Sequence, residues 1–365
     1  MLIRGGMRSR AWMLVDLGAL VHNATALAER AGVPLIPMVK ADAYGLGAVE
    51  VTKALEKLSP LAYGVATVEE GRELRNAGIT RDIIVFTPLL PDDFSGAREL
   101  ELTPSLGSAN EIEAWKIYGS PYYLSIDTGM HRAGLPWREV ATVAPLLKSF
   151  PPIGAYTHFH SAELDDDSMS EQVERFEAAL QLLPAIPAIL HTDNSAAIVR
   201  HDRSTRSAIR PGIFMYGVGS GEAAALDPRP VVHLQTRIVE IRTVEKGDTV
   251  SYDATWMAER KSRIATIPLG YADGYPRNAS SGGYGVVRDE AVKIAGRVTM
   301  DMTMLDVTDV PAEIGDVVTM IGNAAYSEAP IDVASVARLA DMSPYELLTG
   351  LRSRIERIYT IEEDE

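Results

Sequence analysis

The stretch Leu35-Ile-Pro-Met-Val-Lys-Ala-Asp-Ala-Tyr-Gly-Leu-Gly47 decides how the chain is read. A run of five apolar residues that stops on a charge reads as a strand buried on both faces, with Lys40 at its C-terminal end and Gly45 and Gly47 opening a loop. Runs of the same kind recur outward at 62–65, 83–86, 102–105, 122–126, 153–157, 188–191 and 208–213, with room for a crossover helix between them. In 171–183, for example, Val173, Phe176, Leu180 and Leu183 share one helix face. Eight such strands predict a closed parallel (β/α)8 TIM barrel over 11–232. An open doubly wound sheet satisfies the same alternation, and Pro37 weakens the first strand because it brings no N–H to a ladder.

Beyond 233 the texture changes. Runs at 234–244, 249–252, 263–269, 292–304 and 316–321 alternate with turns such as Lys246-Gly-Asp and Ile314-Gly-Asp, which predicts a C-terminal antiparallel β domain over 233–365. Residues 1–10 are expected to pack on it, and helices at 332–339 and 344–351 to close the chain.

Composition narrows the function. With 35 Lys+Arg against 50 Asp+Glu the net charge is −15, which lacks the basic footprint of a nucleic-acid binder. There is no cysteine, so disulfides, thiolate metal sites and thiol nucleophiles are all excluded. No stretch has the length of a membrane span or a signal h-region, and a cytoplasmic enzyme free of membrane contact is the expectation.

In a barrel the working residues stand at the C-terminal strand ends. Those ends carry Lys40, Arg132, His158, Asn194-Ser195, Arg210 and Gly212-Ile213. A lone lysine is ordinarily a solvated charge. One at the mouth of an apolar barrel is desolvated, which lowers its pKa and suits it to form a Schiff base. Ser195 at a helix start and the backbone N–H groups of Gly212 and Ile213 form a phosphate cradle after strands seven and eight, with the Tyr44 hydroxyl in reach. A lysine and a phosphate cradle together call for pyridoxal phosphate. Arg210 can only donate, so as the partner of the pyridine nitrogen it would keep that nitrogen unprotonated.

At this point whole motifs match. Met38-Val-Lys-Ala-Asp-Ala-Tyr-Gly-Leu-Gly47 resembles the pyridoxal-lysine signature of the alanine racemases. Asp127-Thr-Gly-Met-His-Arg132, Thr157-His-Phe159, Asp193-Asn-Ser195 and Arg210-Pro-Gly-Ile-Phe-Met-Tyr-Gly217 resemble further pieces of that family. So do Val250-Ser-Tyr252, Ile267-Pro-Leu-Gly-Tyr-Ala-Asp-Gly-Tyr275 and Gly296-Arg-Val-Thr-Met-Asp301. The resemblance implies a pyridoxal-phosphate enzyme that interconverts L- and D-alanine for peptidoglycan. It also implies a head-to-tail homodimer whose sites combine one barrel with the partner's β domain. By the same resemblance Lys40 serves the D-amino acid's α-proton and Tyr252 of the other subunit the L-amino acid's. Asn194 joins the phosphate site, Arg132 and the Met300 N–H bind substrate, and Tyr271, Arg297 and Asp301 line the access channel. Tyrosine titrates near pH 10, so Tyr252 needs positive neighbours to act as a base, and His158 and Arg132 are the candidates.

Two positions depart from the pattern. Ser125 stands where the family often has a lysine that braces the arginine, and Ser353 where a tyrosine narrows the inner gate, unless Tyr345 or Tyr359 takes that tyrosine's place. A wider gate predicts tolerance of serine or larger amino acids. Three other readings compete. A fold-related amino-acid decarboxylase would need a cysteine as proton donor, which this chain lacks. A non-catalytic pyridoxal-phosphate protein would have no use for the β domain. A metal site on His158, His160 and His191 has no third ligand fixed by spacing. Gly217-Val-Gly219 lacks the remainder of a dinucleotide fingerprint.

Overall fold

The apolar runs do pair in parallel. In the computed structural model, which describes residues 10–201, 204–221, 224–322 and 331–361, β1 (Ala11–Asp16) is followed by β2 (Tyr63–Val65), β3 (Ile83–Val85), β4 (Thr103–Leu106), β5 (Tyr123–Asp127), β6 (Leu135–Pro136), β7 (Gly154–Tyr156) and β8 (Ile189–His191). The parallel order is β2-β3-β4-β5-β7-β8, with β6 a short addition to β5. The runs at 35–39 and 208–213 contribute only isolated bridges, Leu35 to Ile209 and Met38 to Gly64.

Two prolines explain why those runs are not regular strands. Ile36 N–H donates to Ile209 O and Met38 N–H to Pro211 O, while Val39 N–H donates to Gly64 O and Gly64 N–H to Pro37 O. Ser207 N–H, donating to Leu190 O, ties the last run to β8. The ring therefore closes. Pro37 and Pro211, however, each remove one N–H from the ladders on either side of the first run. Ile36, Ala62, Ile84, Tyr123, Tyr156 and Ala208, one from each of six of the eight runs, fill the interior as a single apolar cluster. Helix Ser168–Gln181 buries Phe176 and Leu180 as its spacing predicts.

The remaining strands are β9 (Val232–Arg237), β10 (Glu240–Val244), β11 (Thr249–Val250), β12 (Trp256–Met257), β13 (Ser262–Ile267), β14 (Tyr284–Val287), β15 (Glu290–Lys293), β16 (Thr303–Asp306), β17 (Val317–Ile321) and β18 (Glu356–Thr360). They form sheets ordered β15-β14-β17-β9-β1-β18, β10-β13-β16 and β11-β12. All pairs here are antiparallel except β1 with β18. Helices Val333–Leu339 and Pro344–Gly350 are capped by Asp332 and Ser343.

The chain divides into two compact units, one holding the first residues to Leu20, Tyr216–Val218 and Arg229 onward, the other Val21–Met215 and Gly219–Pro228. This differs from boundaries at 11 and 232. The expected barrel start, 11–16, is a strand of the other sheet, where Trp12 and Met13 are buried. Its pairing partners lie more than two hundred positions away, so no local pattern announces it. Of the segment 1–10, only Arg10 lies within the described residues, and its guanidinium meets the buried Asp273 at 2.7 Å.

Candidate active site

Lys40 stands where the first run ends, and the backbone then does something unusual. Ala41, Asp42, Ala43 and Tyr44 all have positive φ, a full left-handed turn without glycine. The turn swings Tyr44 inward, where it is buried. A Cβ on Gly212 would lie 2.6 Å from the Tyr44 hydroxyl, so only glycine lets this loop and the last strand end meet.

Arg210 anchors the floor. It is fully buried, without a carboxylate partner in hydrogen-bond range among the described residues, and burial pulls its pKa down to about 10, so it stays charged at neutrality. One Nη donates to His191 O at 2.8 Å and His191 Nδ1 at 2.7 Å. The other reaches Thr157 O at 2.8 Å, Thr192 O at 3.1 Å and His158 Nδ1 at 3.3 Å. Its Nε has no acceptor among the described residues.

A guanidinium only donates, so both histidines must accept at Nδ1 and carry their proton on Nε2. Burial, then Arg210, Arg132 and Lys40, push His158 down to about 3; burial and Arg210 push His191 well below its ordinary value. His158 is therefore neutral, which corrects the expectation that it supplies positive charge to Tyr252. It offers an Nε2–H donor instead. The same geometry removes the metal reading, because Arg210 occupies both Nδ1 atoms and His160 turns to Ser161 at 2.7 Å. No cluster among the described residues could hold a metal ion.

These histidines carry a stability cost at low pH. An unfolded chain protonates them near pH 6.5, whereas the folded one keeps His158 neutral down to about 3. Stability is thus fully present above pH 6.5 and is lost as pH falls toward 3, by roughly 1.4 kcal/mol per pH unit for each ring. Urea unfolding at pH 7, 6 and 5 should show that decline; a flat profile would contradict the neutral buried pair.

Lys40 itself is lowered from its ordinary value by burial, then by Arg132, with Glu70 opposing and Arg210 adding to the fall. The phosphate side fits as well. Asn194 caps helix Ser195–Arg200, its Oδ1 accepting from Ala197 N–H at 3.0 Å. Ser195 Oγ accepts from Gly212 N–H at 2.8 Å, and the neighbouring Ile213 N–H donates to no described residue. A lysine of depressed pKa, a hydroxyl pair, a free backbone donor and a free guanidinium Nε suit an anionic aldehyde with a ring nitrogen.

Arg132 is exposed and makes no hydrogen bond or ion pair among the described residues. Ser125, buried in β5, gives it no brace. Its loop is fixed indirectly. Asp127 accepts from Gly129 and His131 N–H, and Thr128 bonds Thr157 at 2.7 Å. Buried Gln172 donates to Thr128 at 3.1 Å and to His158 O at 3.0 Å, tying the arginine loop to the histidine strand end. Sequence reasoning missed Gln172, whose only signal was a polar residue on an otherwise buried helix face.

In the other unit the expected residues share one set of loops. Tyr252 is exposed beside Ser251, Asp253 and Ala254, all at positive φ. Ser251 donates to Arg297 O at 2.7 Å, and Arg297 pairs with Asp253 at 2.8 Å. Tyr271 N–H donates to Thr299 O at 3.0 Å and Ala272 N–H to Met300 O at 2.9 Å. Asp301 pairs with Arg354 at 2.8 Å, next to Ser353, which is exposed.

Comparison with known proteins agrees with this chemistry. The chain matches the family profile "Alanine racemase, N-terminal domain" over 15–220 and "Alanine racemase, C-terminal domain" over 231–359. It is 36% identical to the alanine racemase of Citrifermentans bemidjiense over 94% of this chain and 97% of that one. The E. faecalis alanine racemase structure superposes with a TM-score of 0.91 at 28% identity, covering 97% of this chain and 99% of that one. The Bartonella henselae enzyme, solved with covalently bound pyridoxal phosphate, gives 0.87 at 27% identity over 96% and 100%. On this span and these domains together, the chain belongs to the alanine racemase family.

Proposed function

We propose that the chain binds pyridoxal phosphate on Lys40 and interconverts L- and D-alanine with two bases, Lys40 and Tyr252. The observation that carries this is the pairing of a depressed lysine amine with a buried arginine whose Nε is left free. When bound, the cofactor supplies the electron sink that acidifies the α-proton of an amino acid. Arg210 would hold the ring nitrogen as a donor and, staying charged, keep it unprotonated. Tyr44, Ser195, Gly212 and Ile213 would hold the phosphate, with Asn194 setting the helix that presents Ser195. Lys40 Nζ moves the proton on one face of the α-carbon and Tyr252 Oη on the other. Arg132 and the Met300 N–H orient the substrate, and Tyr271, Arg297 and Asp301 shape its approach.

Tyr252 comes, on this reading, from a second copy in a homodimer. Tyr252, Tyr271, Met300 and Met302 on connected loops and Met257 at the end of β12 are all exposed, which supports a covered surface there. Among the described residues no helix is long and apolar enough to cross a membrane, which agrees with a cytoplasmic site of action.

The assay is chiral chromatography of a panel of L-amino acids with the purified, cofactor-loaded protein. Alanine should racemise fastest, with serine within roughly tenfold in kcat/KM because Ser353 leaves the gate wide. A preference for alanine beyond that over every other amino acid would sink the tolerance, and no racemisation would sink the function.

A further inference from the structure

The turn after Lys40 needs holding. Ala41, Asp42, Ala43 and Tyr44 sit at φ of 52°, 54°, 50° and 59°, each roughly 1–2 kcal/mol above its right-handed alternative. Some ties are internal: Ala43 N–H donates to Val39 O at 2.9 Å, Gly47 N–H to Asp42 O at 2.9 Å, and Ala48 N–H to Asp42 Oδ1 at 2.7 Å. Another comes from outside. Glu70, in helix Val68–Asn76, accepts from Ala41 N–H at 2.8 Å with Oε1 and from Ala66 N–H at 2.6 Å with Oε2.

The local sequence would send that carboxylate elsewhere. Thr67-Val-Glu-Glu70 has the spacing of a capping box, and half of one forms, Thr67 Oγ1 accepting from Glu70 N–H at 3.2 Å. The other half would return the carboxylate to the Thr67 N–H. Instead its two oxygens reach two neighbouring loops, one leaving the first strand run and one leaving β2.

We propose that Glu70 is a positioning residue, whose carboxylate pins the start of the Lys40 turn to the exit of β2 and so fixes where the lysine amine stands. The inference rests on Lys40 being the cofactor lysine. The charged groups facing Lys40 are Arg132, Arg210 and Glu70, with His158 neutral beside them. Glu70 alone among them favours the ammonium, so its carboxylate also limits how far the amine is depressed.

Two substitutions separate reach from charge. Glu70→Gln keeps the length, loses the charge and can accept only one of the two N–H groups. Glu70→Asp keeps the charge and shortens the reach. On the full-length protein we would measure amide hydrogen exchange at Ala41 and Ala66. On the cofactor-stripped chain we would follow, by absorbance, the pH midpoint for capture of added pyridoxal phosphate.

In Glu70→Gln, exchange at one of the two amides should rise at least about tenfold, and the capture midpoint should fall by roughly 0.5 to 1 pH unit as the free amine appears at lower pH. In Glu70→Asp exchange should rise while the midpoint stays at the wild-type value. Unchanged exchange and midpoint in both variants would overturn the proposal, as would equal midpoint shifts in the two. Should Glu70→Gln not fold, exchange at Ala41 in Glu70→Asp decides. Borohydride reduction and peptide mapping of the loaded wild type keep the two readings apart. A label away from Lys40 defeats the lysine assignment, whereas a label on Lys40 with Glu70→Gln unaltered defeats only the role of Glu70.

Discussion

Replacing Lys40 with alanine should remove the yellow chromophore that added pyridoxal phosphate otherwise produces, and lower racemisation by at least roughly 10⁴-fold. The expectation is this large because, on the proposed assignment, one side chain would do two things: hold the cofactor and move a proton. Burial and the neighbouring Arg132 lower the amine from its ordinary value, which favours both roles. Absorbance spectroscopy and chiral assay of the same preparation give both readouts. Added methylamine should restore part of the rate, because a small amine can take the vacated proton-transfer role. A chromophore that survived in the variant would remove Lys40 from the site.

Tyr252→Phe should behave differently. Cofactor capture should remain, since Tyr252 lies among loops of the other unit, while racemisation should fall by roughly 10² to 10⁴. Solvent deuterium should still enter the α-position of D-alanine, through Lys40, and should no longer enter L-alanine. Mixing the two inactive variants tests the shared site directly. If each site draws Lys40 from one subunit and Tyr252 from the other, half of the random dimers hold one intact site, which restores about a quarter of wild-type activity. No recovery on mixing, after subunit exchange is shown by mass, would place both bases in one chain.

Much of this architecture could be read before any coordinates. Apolar runs that stop on Lys40, Thr157-His158 and Ser207-Ala-Ile-Arg210 mark buried parallel strands, and a barrel gathers the C-terminal ends of such strands on one face. The features that escaped were non-local or conformational. Nothing in Ala41-Asp-Ala-Tyr44 signals a left-handed turn, because glycine, the usual sign, appears only afterwards. The capping-box spacing marks Glu70 in the sequence but points its carboxylate back to Thr67, and only the placement of the helix sends it to the Lys40 turn. The tautomers of His158 and His191 follow from a guanidinium that reaches both rings, a three-way contact that spacing along the chain does not encode. Strand β18 was missed for the reason β1 was, a short segment with a distant partner, whereas β14 pairs locally with β15.

The seam between the first and last barrel runs has a consequence for how the protein breathes. Pro211 takes one N–H out of it, leaving Ile36 N–H to Ile209 O, Met38 N–H to Pro211 O and Ile209 N–H to Pro34 O among the described residues, and local opening concentrates where such bonds are few. Lys40 hangs from one lip of the seam and Gly212-Ile213 from the other. On the proposed reading, a cofactor on the lysine with its phosphate at the Ile213 amide would be a stitch across the gap. Its binding energy would enter the stability of the barrel at a joint where proline has removed a backbone bond.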